Sequence, residues 1–314
     1  MGVSMKAVRI PRYGGPEVLV YEDAPRPTPG PGEVLLRVQA VAVNPIDWKV
    51  RAGHLQQLLQ HRLPLIPGWD VSGVVETTGP GAEGWRAGDE VFALLDKARD
   101  GAYAEFAIAQ ASWLARKPAS VDHVRAASVP VAGLAAWQSL FDAGGLASGQ
   151  RVFITGAAGS VGGFAVQLAK HRGASVLAGV AAADAAAARA LGADVVVDLA
   201  DGRFEDAVSG VDLVLDVIGG EIQERAYAVL HRGGTLVSTV GIAAPEKAAA
   251  LGVAAKAFVV EPSGAQLAQL AALLEAGVVT TNVGTVLPLA RASEAHELVQ
   301  SGRARGKVVL QVVA

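Results

Sequence analysis

The sequence predicts an α/β protein in which a doubly wound parallel sheet is joined to a second, β-rich domain. Three observations carry that prediction. From residue 151 onward, strand-like and helix-like segments alternate, which is the pattern of a parallel sheet covered on both faces. A glycine cluster at 156–163 stands between the first of these strands and its helix. Before it, the chain is built of short Val- and Ala-rich runs separated by tight turn signals, as in a barrel or sandwich. Its 314 residues leave room for about two domains of ordinary size.

In chain order, the β-like runs are Val18 to Tyr21, Glu33 to Val43, Val71 to Thr77, Glu90 to Leu95 and Tyr103 to Ala109. Gly14-Gly15-Pro16, the stretch from Pro25 to Gly32, Gly79-Pro80-Gly81 and Gly88-Asp89 supply the turns. A short helix is expected from Pro45, because Asn44 can cap it and proline is preorganised for the first helical position. A helical stretch from Val124 to Phe141, kinked at Pro130, leads into the alternating region. There the expected strands are Val152 to Ile154, Ser175 to Leu177, Asp194 to Val197, Leu213 to Val217, Thr235 to Thr239 and Phe258 to Val260. Beyond Gly277 the pattern turns β-like again, with a helix near Ser293 to Ser301 and a final strand from Lys307 to Val313. That last strand is expected to return to the first domain. The expected domains are therefore 1–122 with 281–314, and 123–280.

Composition narrows the function. A chain that is 51% hydrophobic and 18% charged, with mean hydropathy +0.35, is that of a globular protein with a large core. A net charge of −3 without any run of Lys or Arg gives no basic field for nucleic acid. There is no cysteine, which removes disulfides, thiolate nucleophiles and every Cys-based zinc site. The uncharged stretch from Val152 to Ala169 resembles a membrane span in length only; its glycines, Thr155, Ser160 and Gln167 suit a strand, loop and helix better. The opening Met5-Lys6-Ala7-Val8-Arg9-Ile10 is charged and strand-like rather than an apolar signal core, so a cytoplasmic location is expected.

The segment from Gly156 through Ala158, Gly159, Ser160 and Val161 to Gly162-Gly163 carries the first chemistry. A strand that ends in glycines and feeds a helix N-terminus offers backbone N–H groups and a positive dipole end to a pyrophosphate. The spacing is G-x-x-G-x-x-G rather than G-x-G-x-x-G, so the flanking strand and helix provide the specificity. Ala158-Gly159-Ser160-Val161-Gly162 is also close to a nucleophile elbow, which keeps a serine-hydrolase reading of Ser160 open beside the dinucleotide one. A short-chain reductase would need Tyr-x-x-x-Lys after the loop, and the only later tyrosine, Tyr227, is followed by His231 instead.

Over nearly the whole chain the motifs resemble the zinc-independent quinone oxidoreductases of the medium-chain dehydrogenase/reductase superfamily. The landmarks are Gly14-Gly15-Pro16-Glu17-Val18-Leu19, Pro29 to Val34, Val43-Asn44-Pro45-Ile46-Asp47-Trp48-Lys49 and Pro67-Gly68-Trp69-Asp70-Val71-Ser72-Gly73. Gly101 to Phe106, the glycine loop, Leu191 to Asp194 and Arg305-Gly306-Lys307-Val308 continue the series. The resemblance implies a GroES-like β domain, a Rossmann domain inserted in it, and a cleft between them for nicotinamide and substrate. Zinc-dependent relatives carry Cys at the place of Asn44, His-Glu at the place of Trp69-Asp70, and a four-cysteine lobe after Phe92. This chain has no such residues, so no metal is expected.

The same resemblance places Asn44 beside the nicotinamide, with the helix cap as its other role. It puts Asp47 and Lys49 either lining the cleft or in a structural ion pair, and Trp69-Asp70 near the active site or in the core. Tyr103 is either a donor or a packing residue, and His54 either near the substrate or at the surface. Cofactor contacts are expected from the glycine loop, from Val180 and Ala181, from Val217-Ile218-Gly219, Val240-Gly241 and Phe258-Val259-Val260, and from Lys307. Ala135 replaces a threonine common in relatives, which removes one polar contact. The expected cofactor is NADPH, because an NAD site needs an acid about 20 residues past the loop. The window from Leu177 to Ala183 has none, and Asp184 comes late. The expected reaction is hydride transfer to a quinone or other α,β-unsaturated carbonyl, in a homodimer paired through the apolar edge strand at Phe258 to Val260. A cofactor-binding protein with negligible turnover is the alternative.

Overall fold

The computed structural model describes residues 3–200 and 203–312. It divides into two units, Met1–Val131 with Pro262–Ala314, and Ala132–Glu261.

The first unit begins with an antiparallel pair, β1 (Ser4–Arg9) and β2 (Val20–Pro25). The strand expected at Val18 starts at Val20, because Pro16 opens a 3₁₀ turn over Pro16–Val18. The axis of the unit is β3 (Glu33–Val43), followed by β4 (Asp70–Thr78), β5 (Glu90–Leu94), β6 (Phe106–Gln110) and β7 (Ala115–Arg116). Irregularities at Leu35/Leu36 and Val38/Ala40 interrupt the pairing of β3 with β4. Such bulges bend and twist a strand. The N-terminal half of β3 pairs with β6, whereas the C-terminal half pairs elsewhere. Tyr103, expected inside a strand, lies ahead of β6 in a bend.

The helical stretch expected from Val124 to Phe141 starts as two α-helices and runs on as a π-helical segment, Gln138–Ala143. His123–Ala127 is capped by Asp122, whose carboxylate accepts from the Arg125 N–H at 2.7 Å. Pro130 is the first residue of the second helix, Pro130–Trp137, rather than a kink within one.

The second unit is a parallel sheet of β8 (Arg151–Thr155), β9 (Ser175–Val180), β10 (Val195–Asp198), β11 (Val211–Asp216), β12 (Leu230–Ser238) and β13 (Ala254–Ala257). Their order, β10-β9-β8-β11-β12-β13, reverses between β8 and β11, as in a Rossmann sheet. Helices occupy the crossovers, and Phe153, Leu177, Phe204, Tyr227 and Leu236 share one core. The edge strand is β13, not Phe258 to Val260 as expected. Its neighbour β12 ends at Ser238 opposite Ala257, so the apolar residues beyond have no ladder to join, and Val259 is 70% exposed.

The chain then returns to the first unit. β14 (Val283–Pro288) pairs in parallel with β15 (Lys307–Gln311), and β15 pairs antiparallel with β3, Val308 opposite Val43. Val313, expected to close that strand, lies outside the described residues. The unit boundaries differ from the expected 122/123 and 280/281 because two helices belong to the first unit. His123–Ala127 packs on β3 and β4, and Gly264–Glu275 packs on β7. Among the described residues no helix is long and apolar enough to cross a membrane.

Candidate active and cofactor sites

The sheet of the second unit reverses its order where β8 meets β11, and ligands of such sheets bind outside the carboxyl ends of the strands at this point. Gly156, just past β8, adopts φ +65°, a conformation that costs other residues roughly 1–2 kcal/mol. Gly162, in the first turn of the helix Ser160–His171, lies against the loop; a Cβ there would fall 2.2 Å from the Gly156 carbonyl oxygen. Only glycine permits this approach, which brings the helix N-terminus up to the strand end. Gly159 and Ser160 are exposed at that terminus, with Ala158 and Val161 half-buried beside them. A helix start leaves its first N–H groups without intrahelical acceptors, so this cradle fits the pyrophosphate of a dinucleotide.

Among the described residues Ser160 has no triad. Among the described residues no histidine is hydrogen-bonded to it. His231 bonds the Arg232 carbonyl and Asp212, and His296 is buried in the other unit. The hydrolase reading is therefore set aside.

A network that the sequence reading missed shapes the neighbouring strand ends. Asp216, fully buried at the end of β11, accepts from Thr155 Oγ1 at 2.9 Å, Ser238 Oγ at 2.8 Å and Gln223 Nε2 at 2.8 Å. It also accepts from the N–H groups of Ile218 and Gly219 at 3.2 and 3.0 Å. Thr155 Oγ1 accepts from the Val217 N–H, Ser238 Oγ from the Val240 N–H, and the Gly241 carbonyl from Gln223. With their polar backbone tied inward, Ile218 and Val240 present exposed apolar side chains at the ends of β11 and β12. Phe258 is half-buried and Val259 exposed beyond β13, with Val260 half-buried next to them. The available signal was a polar residue closing each of three apolar strands. At the end of β9, Val180 is buried while Ala181 is exposed, and Asp184 stands at the N-cap of the next helix.

The first unit gathers a buried polar cluster. Asn44 is the N-cap of the helix Pro45–Arg51, and the Asp47 carboxylate accepts from the Asn44 backbone N–H at 2.6 Å. The Asn44 amide bonds away from the helix: Nδ2 donates to Asp70 Oδ2 at 2.8 Å, and Oδ1 accepts from Lys307 Nζ at 2.5 Å. Lys307, expected at the cofactor, is 6% exposed, and its ammonium also lies 3.3 Å from Asp70 Oδ2. The register explains the meeting, since Val308 faces Val43 across β15 and β3, and Ala42 faces Asp70 across β3 and β4.

Next to this trio, Asp47 and Tyr103 are wholly buried. The Tyr103 hydroxyl is 3.5 Å from Asp47 Oδ2 and 3.1 Å from His296 Nε2, and His296 Nδ1 is 3.4 Å from Arg51. Arg51 continues to the Gln300 side chain at 2.7 Å. Burial pushes the Asp47 carboxyl up to about 8, with Asp70 adding to the rise. Burial also raises Asp70, against the pull of Lys307 and of the Asn44 amide. Tyr103 is raised well above the ordinary phenol value, and His296 is lowered to about 3, by burial first in each case. Burial thus disfavours the charged forms of both Asp47 and His296.

The residues expected to be catalytic thus divide. Asp47, Trp69 and Tyr103 are fully buried, and the Trp69 indole donates to the Arg99 carbonyl at 3.1 Å. No Asp47–Lys49 ion pair forms, because positions two apart point about 200° away from each other around a helix. Lys49 instead places its ammonium 5.9 Å from the Trp48 ring centroid. His54 is exposed and meets the edge of Trp48. Among the described residues no His, Asp and Glu side chains converge in a group that could hold a metal ion.

Comparison with known proteins agrees with this architecture. Residues 30–119 match the alcohol dehydrogenase GroES-like domain, and residues 191–310 match the zinc-binding dehydrogenase model. A chloroplast envelope quinone oxidoreductase homolog from Arabidopsis thaliana is 32% identical, with 99% of each chain covered. An NADPH-dependent alkenal/one oxidoreductase from the same plant is 33% identical over 98% of this chain and 79% of its own length. The quinone oxidoreductase from Coxiella burnetii superposes with a TM-score of 0.91 at 30% identity, covering 99% of this chain and all of the other. With a Rossmann sheet, a GroES-like domain and relatives of this similarity over its whole length, the chain belongs to the quinone oxidoreductase-like proteins of the medium-chain dehydrogenase/reductase superfamily.

Proposed function

We propose that this oxidoreductase reduces a quinone or another α,β-unsaturated carbonyl with NADPH, without a metal ion. The observation that carries the reading is the Asn44 amide held between Asp70 and Lys307, a neutral donor fixed where zinc-dependent relatives carry a metal ligand. The cofactor, when bound, supplies the hydride. The glycine loop and the end of the helix Ser160–His171 hold its pyrophosphate, and Ile218 and Val240 offer apolar surface to its ring end. Asn44 donates to the acceptor oxygen that gains charge, and its amide does so without titrating. Rate acceleration then comes from orienting two planar reactants and from that donor. The chain has neither a cysteine nor a Tyr-x-x-x-Lys pair for a covalent or tyrosine-relay route. NADPH oxidation screened over quinones, enones and enals tests this, with fluorescence titration of the cofactor in parallel. Cofactor binding without turnover on any acceptor would leave a binding protein instead.

NADPH is expected to be preferred over NADH, though modestly. The exposed run Ala181 to Ala183 has no acid to repel a 2′-phosphate and no Arg or Lys to attract one. The comparison is kcat/KM for the two cofactors, and a clear preference for NADH contradicts the reading.

Among the described residues the edge strand Ala254–Ala257 pairs with β12 alone, and a second copy paired through it would make a homodimer. Sedimentation at micromolar concentration should show that dimer, and a monomer would refute it. Elemental analysis of the same preparation should find no stoichiometric zinc, since Asn44 and Trp69 offer an amide and an indole in place of thiolate and imidazole. About one zinc per chain would overturn the metal-free reading.

A further inference from the structure

An asparagine amide can sit in two orientations that differ only in the exchange of O and NH₂. An unfixed Asn44 would therefore present a donor in one state and an acceptor in the other. We propose that Lys307 and Asp70 are positioning residues that lock the Asn44 amide in one orientation, leaving the second Nδ2 proton as the donor used in the reaction. The proposal rests on the reading of Asn44 as that donor.

Three strands deliver the three groups. Lys307 opens β15, Asn44 follows the last residue of β3, and Asp70 opens β4. An ammonium only donates, so the Asn44 atom 2.5 Å from Lys307 Nζ has to be the oxygen. With the oxygen on Lys307, the Asn44 atom 2.8 Å from Asp70 Oδ2 is the nitrogen, which donates to that carboxyl oxygen. The flipped amide would set NH₂ against ammonium and oxygen against carboxylate, losing both bonds and gaining two repulsions.

The clamp is itself anchored. Asp70 Oδ1 accepts from the Val131 N–H at 2.6 Å, and the Lys307 ammonium stands 3.3 Å from Oδ2. Together with Asn44, three donors converge on this one carboxylate, and such convergence favours its charged form. All three side chains are nearly inaccessible, with exposures of 3% for Asn44, 0% for Asp70 and 6% for Lys307. A buried ion pair adds little to stability once desolvation is counted, so specificity of orientation is the more economical role for this one. Asp47 contributes by pinning the backbone of Asn44 rather than its amide.

The test reads orientation and rate separately. The side-chain Nδ2 resonances of Asn44, assigned by their loss in Asn44→Ala, report the amide directly, while kcat and KM report its use. Wild type should show one shifted, slowly exchanging pair. Lys307→Met should move that pair toward ordinary asparagine values and speed its exchange. It should also lower kcat about tenfold with little change in the KM for NADPH. Lys307→Arg, which keeps the donor, should restore part of both signals. Should Lys307→Met fail to fold for want of a partner for Asp70, the neutral double variant Asp70→Asn/Lys307→Met carries the same expectation. An unchanged Asn44 signature in a folded variant overturns the clamp. A changed signature with full kcat supports the clamp and overturns instead the assignment of Asn44 as the reacting donor.

Discussion

Asn44→Ala is expected to lower kcat for enone or quinone reduction by at least about tenfold, and by as much as about 10²–10³, while NADPH still binds. The range is that of removing one fixed donor from an oxygen that gains charge. Binding should persist because the glycine loop and its helix belong to the other unit and are untouched by the substitution. The variant is also expected to fold. The helix Pro45–Arg51 keeps its reciprocal capping bond, since Asp47 accepts from the backbone N–H of residue 44, which alanine retains. What is lost is the pair of side-chain bonds to Asp70 and Lys307, which remain in contact with one another. Leaving buried groups short of a partner costs roughly 1–3 kcal/mol, so thermal unfolding has to be measured alongside. A folded variant with wild-type kcat would remove Asn44 from the mechanism.

Asp47→Asn is expected to change the pH dependence of stability. The Asp47 carboxyl is pushed up to about 8 from an ordinary value of 3.8. Below the ordinary value both folded and unfolded chains are protonated, and there is no penalty. Between the two values the unfolded chain releases the proton while the folded chain keeps it, so stability falls as pH rises, levelling off above about 8. At about 1.36 kcal/mol per pH unit, the loss from pH 5 to 8 is about 4 kcal/mol. Asparagine cannot titrate, yet its carbonyl can still accept from the Asn44 N–H.

His296 works in the opposite sense. Its value is lowered to about 3, so its contribution is lost as pH falls through the acid range, and it partly masks Asp47 in the wild type. The difference between variant and wild type cancels that term. Denaturant unfolding at several pH values should show Asp47→Asn gaining on the wild type steadily from pH 5 to 8. Parallel curves over that range would mean that Asp47 is ionised in the folded protein.

Much of the cofactor unit was legible because its signals are local. Strand, glycine loop and helix follow one another within residues 151–171, and the requirement for glycine at 162 is a contact with a residue only six positions earlier. The edge strand was misplaced by a few residues for the complementary reason. Phe258-Val259-Val260 has the composition of a strand, but where a ladder ends depends on the neighbour, and β12 stops at Ser238. Asp216 went unnoticed because nothing near it in sequence announces Thr155 or Ser238 as partners.

By itself, the sequence determined the class of the protein: alternating strands and helices, a glycine-rich loop between strand and helix, landmark motifs in order, and no cysteine for a thiolate or zinc site. Tertiary structure alone decided the roles of the polar residues. Asn44 was readable as a cap, yet its amide is bound by residues 26 and 263 positions away. Asp47 and Lys49 were readable as a pair, yet one is fully buried and the other places its ammonium near the Trp48 ring. Lys307 was readable as a cofactor contact, and only the return of β15 beside β3 brings its ammonium to 3.3 Å from Asp70. The reason is physical. Periodicity, capping and turn chemistry act within a few residues, whereas burial and hydrogen-bond partnership are set by strand register, which joins segments from opposite ends of the chain.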